Sequence, residues 1–159
     1  MFDNKAHLKN LIRHIDLVRE NCLLLGDRLI DTGRVDLGEG LIHRGYIHDA
    51  SKFRGIEWSF LHRGPDTPQD KLDLAMREHW SKNDHHPEYW GGIEYMPEVA
   101  VAEMLCDWQA RSTERGTAVR TWIKEIGVDK FKIDLKGKQW GWIEDSLNKL
   151  LEDTFVPRK

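Results

Sequence analysis

Cysteine is nearly missing from this chain: there are two in 159 residues, Cys22 and Cys106. Each falls inside an apolar pattern, which excludes a disulfide framework and fits reduced core thiols in a cytoplasmic protein. Long hydrophobic runs are missing too. None approaches the roughly 20 residues that cross a bilayer, so no membrane partner is expected. The first ten residues, MFDNKAHLKN, hold no apolar signal core, and export is not expected. Nor is there an excess of positive charge: a net charge of −3 gives no basic field for a nucleic-acid polymer or an anionic membrane. No repeat, linker or shift in composition divides the chain. One domain over residues 1–159 is expected, long enough to bury a core without staples.

What remains is an ordinary globular composition, 40% hydrophobic and 32% charged, which excludes a disordered chain. The unusual counts are eight histidines and seven tryptophans. Histidine is the commonest metal ligand, so its placement is informative.

Helical periodicity dominates. Asn4 can cap a helix running to about Ile30, with Leu8, Leu11, Ile15, Val18, Cys22, Leu25 and Leu29 forming an apolar stripe closed by Gly33. A second helix is expected from Leu37 to Ala50, with Leu41, Gly45 and His48 on one face. Ser51 and Lys52 lead into a short third helix carrying Glu57 and Trp58. His62 to Pro68 reads as a loop. Pro68 to Ser81 reads as a helix, Lys82 to Gly92 as a loop, and Pro97 to about Arg115 as a helix with Ala100, Glu103, Met104, Asp107 and Arg111 on one face. Thr117 to Ile126 and Gln139 to Phe155 complete the set, and VDKFKIDLKGK between them is a loop or a brief extended piece. The class is all-α, a single-domain bundle, with a site core over about residues 8–108 and C-terminal helices over 117–155.

Several polar side chains fall where apolar ones belong. His14, His48, His79 and Asp107 each take the inner face of a predicted helix, and Asp49 adjoins His48. One inward histidine is usually a hydrogen-bonded core residue. Four such groups on separate helices carry desolvation costs that a shared cation would offset together. An imidazole beside a carboxylate offers a borderline nitrogen and a hard oxygen to one divalent ion. Lys52, three residues on, places a positive charge near any anion bound there. His7, His43 and His62 read as ordinary residues, by position at the terminus, off the face of His48, and in a loop.

In this order the residues resemble the HD superfamily of metal-dependent phosphohydrolases, all-helical proteins named for a His-Asp pair. RHIDLV would supply a first-helix histidine (His14), IHDASKF the pair (His48, Asp49) and LCDW a later helical aspartate (Asp107). HDASK is similar to the HD-x-x-K form, with Lys52 in the anion-contacting position. Members with two metals insert further histidines, an arrangement that His79 with His85-His86 fits. HHPEYWGG is loosely similar to a stretch of the cyclic-dinucleotide phosphodiesterase branch. The short spacing from His79 to His85 and the missing Gly-Tyr-Pro signature keep that branch's substrate from being carried over. The resemblance covers roughly Leu8 to Trp108 and looks like a small bacterial or phage branch.

It implies one or two divalent transition-metal ions (Mn, Fe, Co, Ni or Zn). His14, His48, Asp49 and Asp107 would hold the first; His79 and His86, with Asp49 shared and His85 as the alternative to His86, would hold the second. Lys52 would hold a phosphate oxygen as a point charge. Glu57 and Glu103 are candidates for proton transfer or for orienting an imidazole, although a solvated helix face is the preferred reading of Glu103. Arg13 reaches a substrate phosphate or forms an exposed ion pair. Tyr89 and Trp90, with Trp80, stack a base or pack in the core. Trp108, Trp122, Trp140 and Trp142 read as core or interface. A homo-oligomer is one reading of the Trp-rich C-terminal helix, and a core helix is the other. The expected function is hydrolysis of a small phosphate ester, a nucleotide above all, by a metal-activated water. The alternatives are a di-iron oxygenase of the HD-like type and a non-catalytic metal- or nucleotide-binding module.

Overall fold

A computed structural model describes residues 3–151, and every regular element in them is helical. Helix α1 (Asn4–Asp31) is capped by Asp3, not Asn4: its Oδ1 accepts from the backbone N–H of Lys5 at 2.9 Å and of Ala6 at 3.0 Å. Helix α2 (Val35–Ile47) starts two residues before the expected Leu37 and stops short of Ala50. Asp49 causes the early stop, because its φ of 54° is left-handed and ends the helical path, with His48 extended at the cap. Aspartate visits that region more readily than bulkier residues do. The His48-Asp49 pair therefore sits at a bend, not on a helix face as the periodicity suggests.

A 3₁₀ turn (Ala50–Phe53) leads to α3 (Gly55–Phe60) and then α4 (Gln69–Lys82), capped by Pro68. The expected loop over 82–92 contains one helical turn, α5 (Pro87–Trp90), before a 3₁₀ turn at Ile93–Tyr95 and the long α6 (Glu98–Arg115). Helix α7 (Val119–Trp122) runs through a π-helical turn (Ile123–Gly127) into α8 (Val128–Phe131), so helix replaces the start of the expected loop or strand. Helix α9 (Lys138–Leu151) is the last; Phe155, its expected end, lies outside the described residues.

Three residues join α1 to α2, which forces a helical hairpin. Its seam is closed by glycine. A Cβ on Gly38 would stand 2.5 Å from the Gly26 carbonyl oxygen, and one on Gly45 would stand 2.7 Å from Cys22 Cβ. Backbone meets backbone here, and the antiparallel register brings His14 level with His48, their ring centroids 6.1 Å apart. Gly38→Ala is expected to cost about 1–3 kcal/mol by overpacking, read as a lower urea midpoint at unchanged slope; an unchanged midpoint would mean that the seam can widen freely.

One apolar cluster, with Val18, Cys22, Leu25, Leu41, Ala102 and Cys106, welds this hairpin to α6. A second, with Met96, Val101, Leu105, Ile123, Ile143 and Leu147, joins α6 to α9 and the α7–α8 segment. Helix α6 is thus shared by both cores. Asn21 Nδ2 donates to the Cys106 carbonyl at 3.0 Å and ties α1 to α6 one residue before Asp107. Among the described residues no helix is long and apolar enough to cross a membrane.

Candidate metal centre

Four separate stretches converge below the hairpin. Helix α1 brings His14, the bend after α2 brings His48 and Asp49, α4 brings His79, and α6 brings Glu103 and Asp107. The turn after α4 adds His85 and His86. It is shaped by Asn83, whose side-chain amide donates to the His79 carbonyl at 2.8 Å and to Ser51 Oγ at 2.9 Å.

The imidazoles share one orientation. Their Nε2 atoms point inward: His14 Nε2 is 3.1 Å from Asp107 Oδ1, His48 Nε2 is 3.3 Å from Asp49 Oδ2, and His79 and His85 Nε2 are each 3.5 Å from Asp49 Oδ1. His85 Nε2 also lies 3.6 Å from Asp107 Oδ2, and His86 Nε2 lies 2.9 Å from His79 Nε2. Their Nδ1 atoms point outward to carboxylates. His14 meets Glu114 at 3.1 Å, His48 meets Glu103 at 2.8 Å, His79 meets Glu57 at 2.8 Å, and His85 lies 3.3 Å from Glu103. A carboxylate that accepts from Nδ1–H fixes the tautomer and leaves the Nε2 lone pair facing the centre. Asp49, His79, His85 and His86 form one group able to hold an ion, His14, His48 and Asp49 form another, and His48, His85 and Glu103 form a third. Asp49 belongs to the first two.

Several of the inward atoms lack a hydrogen bond. His14 Nε2, His48 Nε2, His85 Nε2 and both Asp49 oxygens are buried and make no hydrogen bond among the described residues. The Lys52 ammonium, 2.7 Å from Asp49 Oδ2, is an ion pair outside hydrogen-bond angles. Each buried polar group left so costs about 1–3 kcal/mol. A cation would satisfy several of them at once, and the donor set of imidazole nitrogens and carboxylate oxygens suits a divalent transition metal. These residues can hold a metal ion.

Burial acts on every charge here. It opposes a charged His48, yet the Asp49 charge beside it and the hydrogen bond to Glu103 hold its imidazolium well above the ordinary histidine value. It also opposes ionisation of Asp49 and Asp107. Despite that, His48 and Lys52 hold Asp49, and His14 and His48 hold Asp107, well below the usual carboxylate range. His79 and His86 are driven down by burial to about 2 and about 4, which keeps both as neutral imidazoles. Burial raises Glu57.

Of the residues singled out in the sequence, His14, His48, Asp49, Lys52, Glu57, His79, His85, His86 and Asp107 come together. His85 and His86 both face the centre, so the choice between them dissolves. Glu103 corrects the solvated-face reading: it is 4% exposed and accepts from Arg44 Nε at 2.6 Å while holding His48. Arg13 is exposed on α1. Tyr89 is exposed, and Trp90 donates Nε1–H to the Asp84 carbonyl at 2.7 Å and packs on the core. None of these three is brought to the cluster. His7 packs against Trp58, while His43 and His62 are exposed.

Three supporting residues escaped the sequence reading: Glu114, Arg44 and Asn83. Glu114 lies seven residues after Asp107 and Glu103 four before it, so helical spacing alone puts both on the Asp107 face. Glu103→Gln is expected to weaken metal binding by about 10–100-fold at unchanged stoichiometry, by competition against a chelating dye. Equal affinity in the variant and the wild type would show that Glu103 holds Arg44 alone.

The profile of one family, described as a family of unknown function (DUF5662), matches residues 3–156. No curated protein and no solved structure matches the chain.

Proposed function

We propose that this chain, which belongs to the DUF5662 family of unknown function, is a metal-dependent phosphohydrolase acting on a small phosphate ester, a nucleotide in particular. The observation that supports this most is the set of inward Nε2 atoms and Asp49 oxygens without hydrogen bonds, beside a buried lysine. The ordered residues that resemble the HD superfamily point the same way. Divalent ions supply this reaction with a water of lowered pKa and offset the charge that grows on the phosphoryl oxygens.

The chain's own residues divide the work. His14, His48, Asp49 and Asp107 would hold one ion; His79, His85 and His86, with Asp49 shared, would hold a second. Lys52 is paired with Asp49 at 2.7 Å, beside His48. A cation on Asp49 would free the ammonium for a phosphate oxygen, which it would hold as a point charge. Glu57 would act through His79, as a positioning residue. The two free buried cysteines fit a reducing compartment, so the cytoplasm is part of this proposal.

The test is metal analysis of protein purified without chelator, followed by a screen of nucleoside mono-, di- and triphosphates and an aryl phosphate with Mn or Co. Bound transition metal and turnover are expected; no metal and no turnover would sink the proposal. Five imidazoles in one cluster also suit iron, which favours a di-iron oxygenase as the second reading. Coloured protein that consumes dioxygen and leaves every phosphate ester intact would replace the first reading with that one.

A further inference from the structure

A cleft of about 330 Å³ opens beside His86, between α4, α6 and the α7–α8 segment. That volume is near the lower end of small-molecule sites, roughly 300–1,000 Å³. Its walls are aromatic: Trp80, Trp108 and Trp122 line it. Trp108 is braced by Phe131, stacked at 5.3 Å, and by Trp122, edge-on at 5.0 Å. Trp80 packs on no ring among the described residues, which leaves it available to a planar ligand. Such walls suit a base, since stacking on tryptophan asks only for a π face.

The cleft is also cationic. Arg111, Arg115 and Lys130 line it against one carboxylate, the exposed Glu88. The arginines are placed by α6 itself. Arg111 is four residues and Arg115 eight residues after Asp107, so at 1.5 Å per residue they stand about 6 and 12 Å further along the same face. Arg111 donates to Glu114 Oε2 at 3.0 Å, and the same oxygen meets His14 Nδ1 at 3.1 Å, which fixes the guanidinium at the edge of the cluster. Arg115 is exposed and pairs with no carboxylate among the described residues. One phosphoryl group at the cluster would leave Arg115 without a counter-charge and Arg111 with Glu114 alone. The pair calls for a further anionic group.

Resting on the hydrolase reading, we propose that the substrate is a nucleotide with at least two phosphates: one phosphate lies at the metal cluster, the next on Arg111 and Arg115, and the base lies between Trp80 and Trp108. The test is equilibrium binding of ADP and pyrophosphate (each as its non-hydrolysable methylene analogue), AMP and adenosine to metal-loaded protein, by calorimetry and tryptophan fluorescence. ADP is expected to bind about tenfold or more tighter than pyrophosphate, from base stacking, and about tenfold tighter than AMP, from the charge-assisted contacts. Arg115→Ala should bring ADP down to the AMP level, and Trp80→Ala should weaken ADP and leave pyrophosphate unchanged. Arg115 is exposed, so its variant is expected to fold. Equal affinities for ADP and AMP, or for ADP and pyrophosphate, would overturn the proposal. A selective ADP site on protein that turns over no phosphate ester sinks the hydrolase and leaves this cleft standing. Turnover of an aryl phosphate without ADP selectivity does the reverse.

Discussion

Asp49→Asn is expected to lose bound metal and phosphate-ester hydrolysis together, the latter by at least on the order of 10²–10³-fold, the cost of removing a single charge-stabilising group from an active site. Two facts single out this residue. Its Oδ2 faces His48 and its Oδ1 faces His79 and His85, so it is the one carboxylate that belongs to two of the three candidate ion groups. It is also wholly buried, which leaves no solvent to take its place. Asparagine is the informative substitution because it tolerates the left-handed backbone at φ 54°. Alanine adds about 1–2 kcal/mol of backbone strain there and would confuse a folding defect with a lost ligand. The check is elemental analysis and initial rates on variant protein whose far-ultraviolet dichroism matches the parent's. Retained metal and retained rate would remove Asp49 from the centre.

Added metal is expected to raise the thermal midpoint of chelated protein by about 5–10 °C. At a hundred times its dissociation constant a ligand that binds only the folded state stabilises it by about 2.7 kcal/mol, and a chain of this length gains about 2–4 °C per kcal/mol. Without an ion, His14, His48 and His85 each keep a buried Nε2 with no hydrogen bond, so stability rises as those atoms are satisfied. Differential scanning fluorimetry across Mn, Fe, Co, Ni and Zn reads the shift and ranks the ions. The Asp49→Asn protein should show almost none. If no metal moves the parent's midpoint, the cluster is a polar core held by its own ion pairs.

The all-α class was plain in the sequence, because apolar residues at helical spacing need only a local pattern. So were His14, His79 and Asp107, which interrupt such patterns on α1, α4 and α6. The bend at Asp49 was not legible: its cause is a backbone dihedral that aspartate tolerates without advertising, and the stripe through Leu41, Gly45 and His48 runs straight up to it. Glu103 was hidden for another reason. A glutamate on a helix is nearly always solvated, and only the tertiary approach of Arg44, His48 and His85 pulls it inside. His85 and His86 escaped ranking because both face inward from a turn whose shape Asn83 sets through Ser51, a residue from a distant stretch of chain. Local signals revealed the residue types that gather at the cluster; long-range contacts decided their partners.

The glycine-lined seam between α1 and α2 makes the two halves of the cluster mechanically unequal. On the hairpin side, the spacing of His14 from His48 is set by the thickness of two polypeptide backbones, which neither compress nor change rotamer. The opposite wall, with His79 on α4, rests on the short α3 and on single turns. An ion held against the hairpin would sit in a stiff jaw, and a second one across Asp49 would sit in a more compliant one.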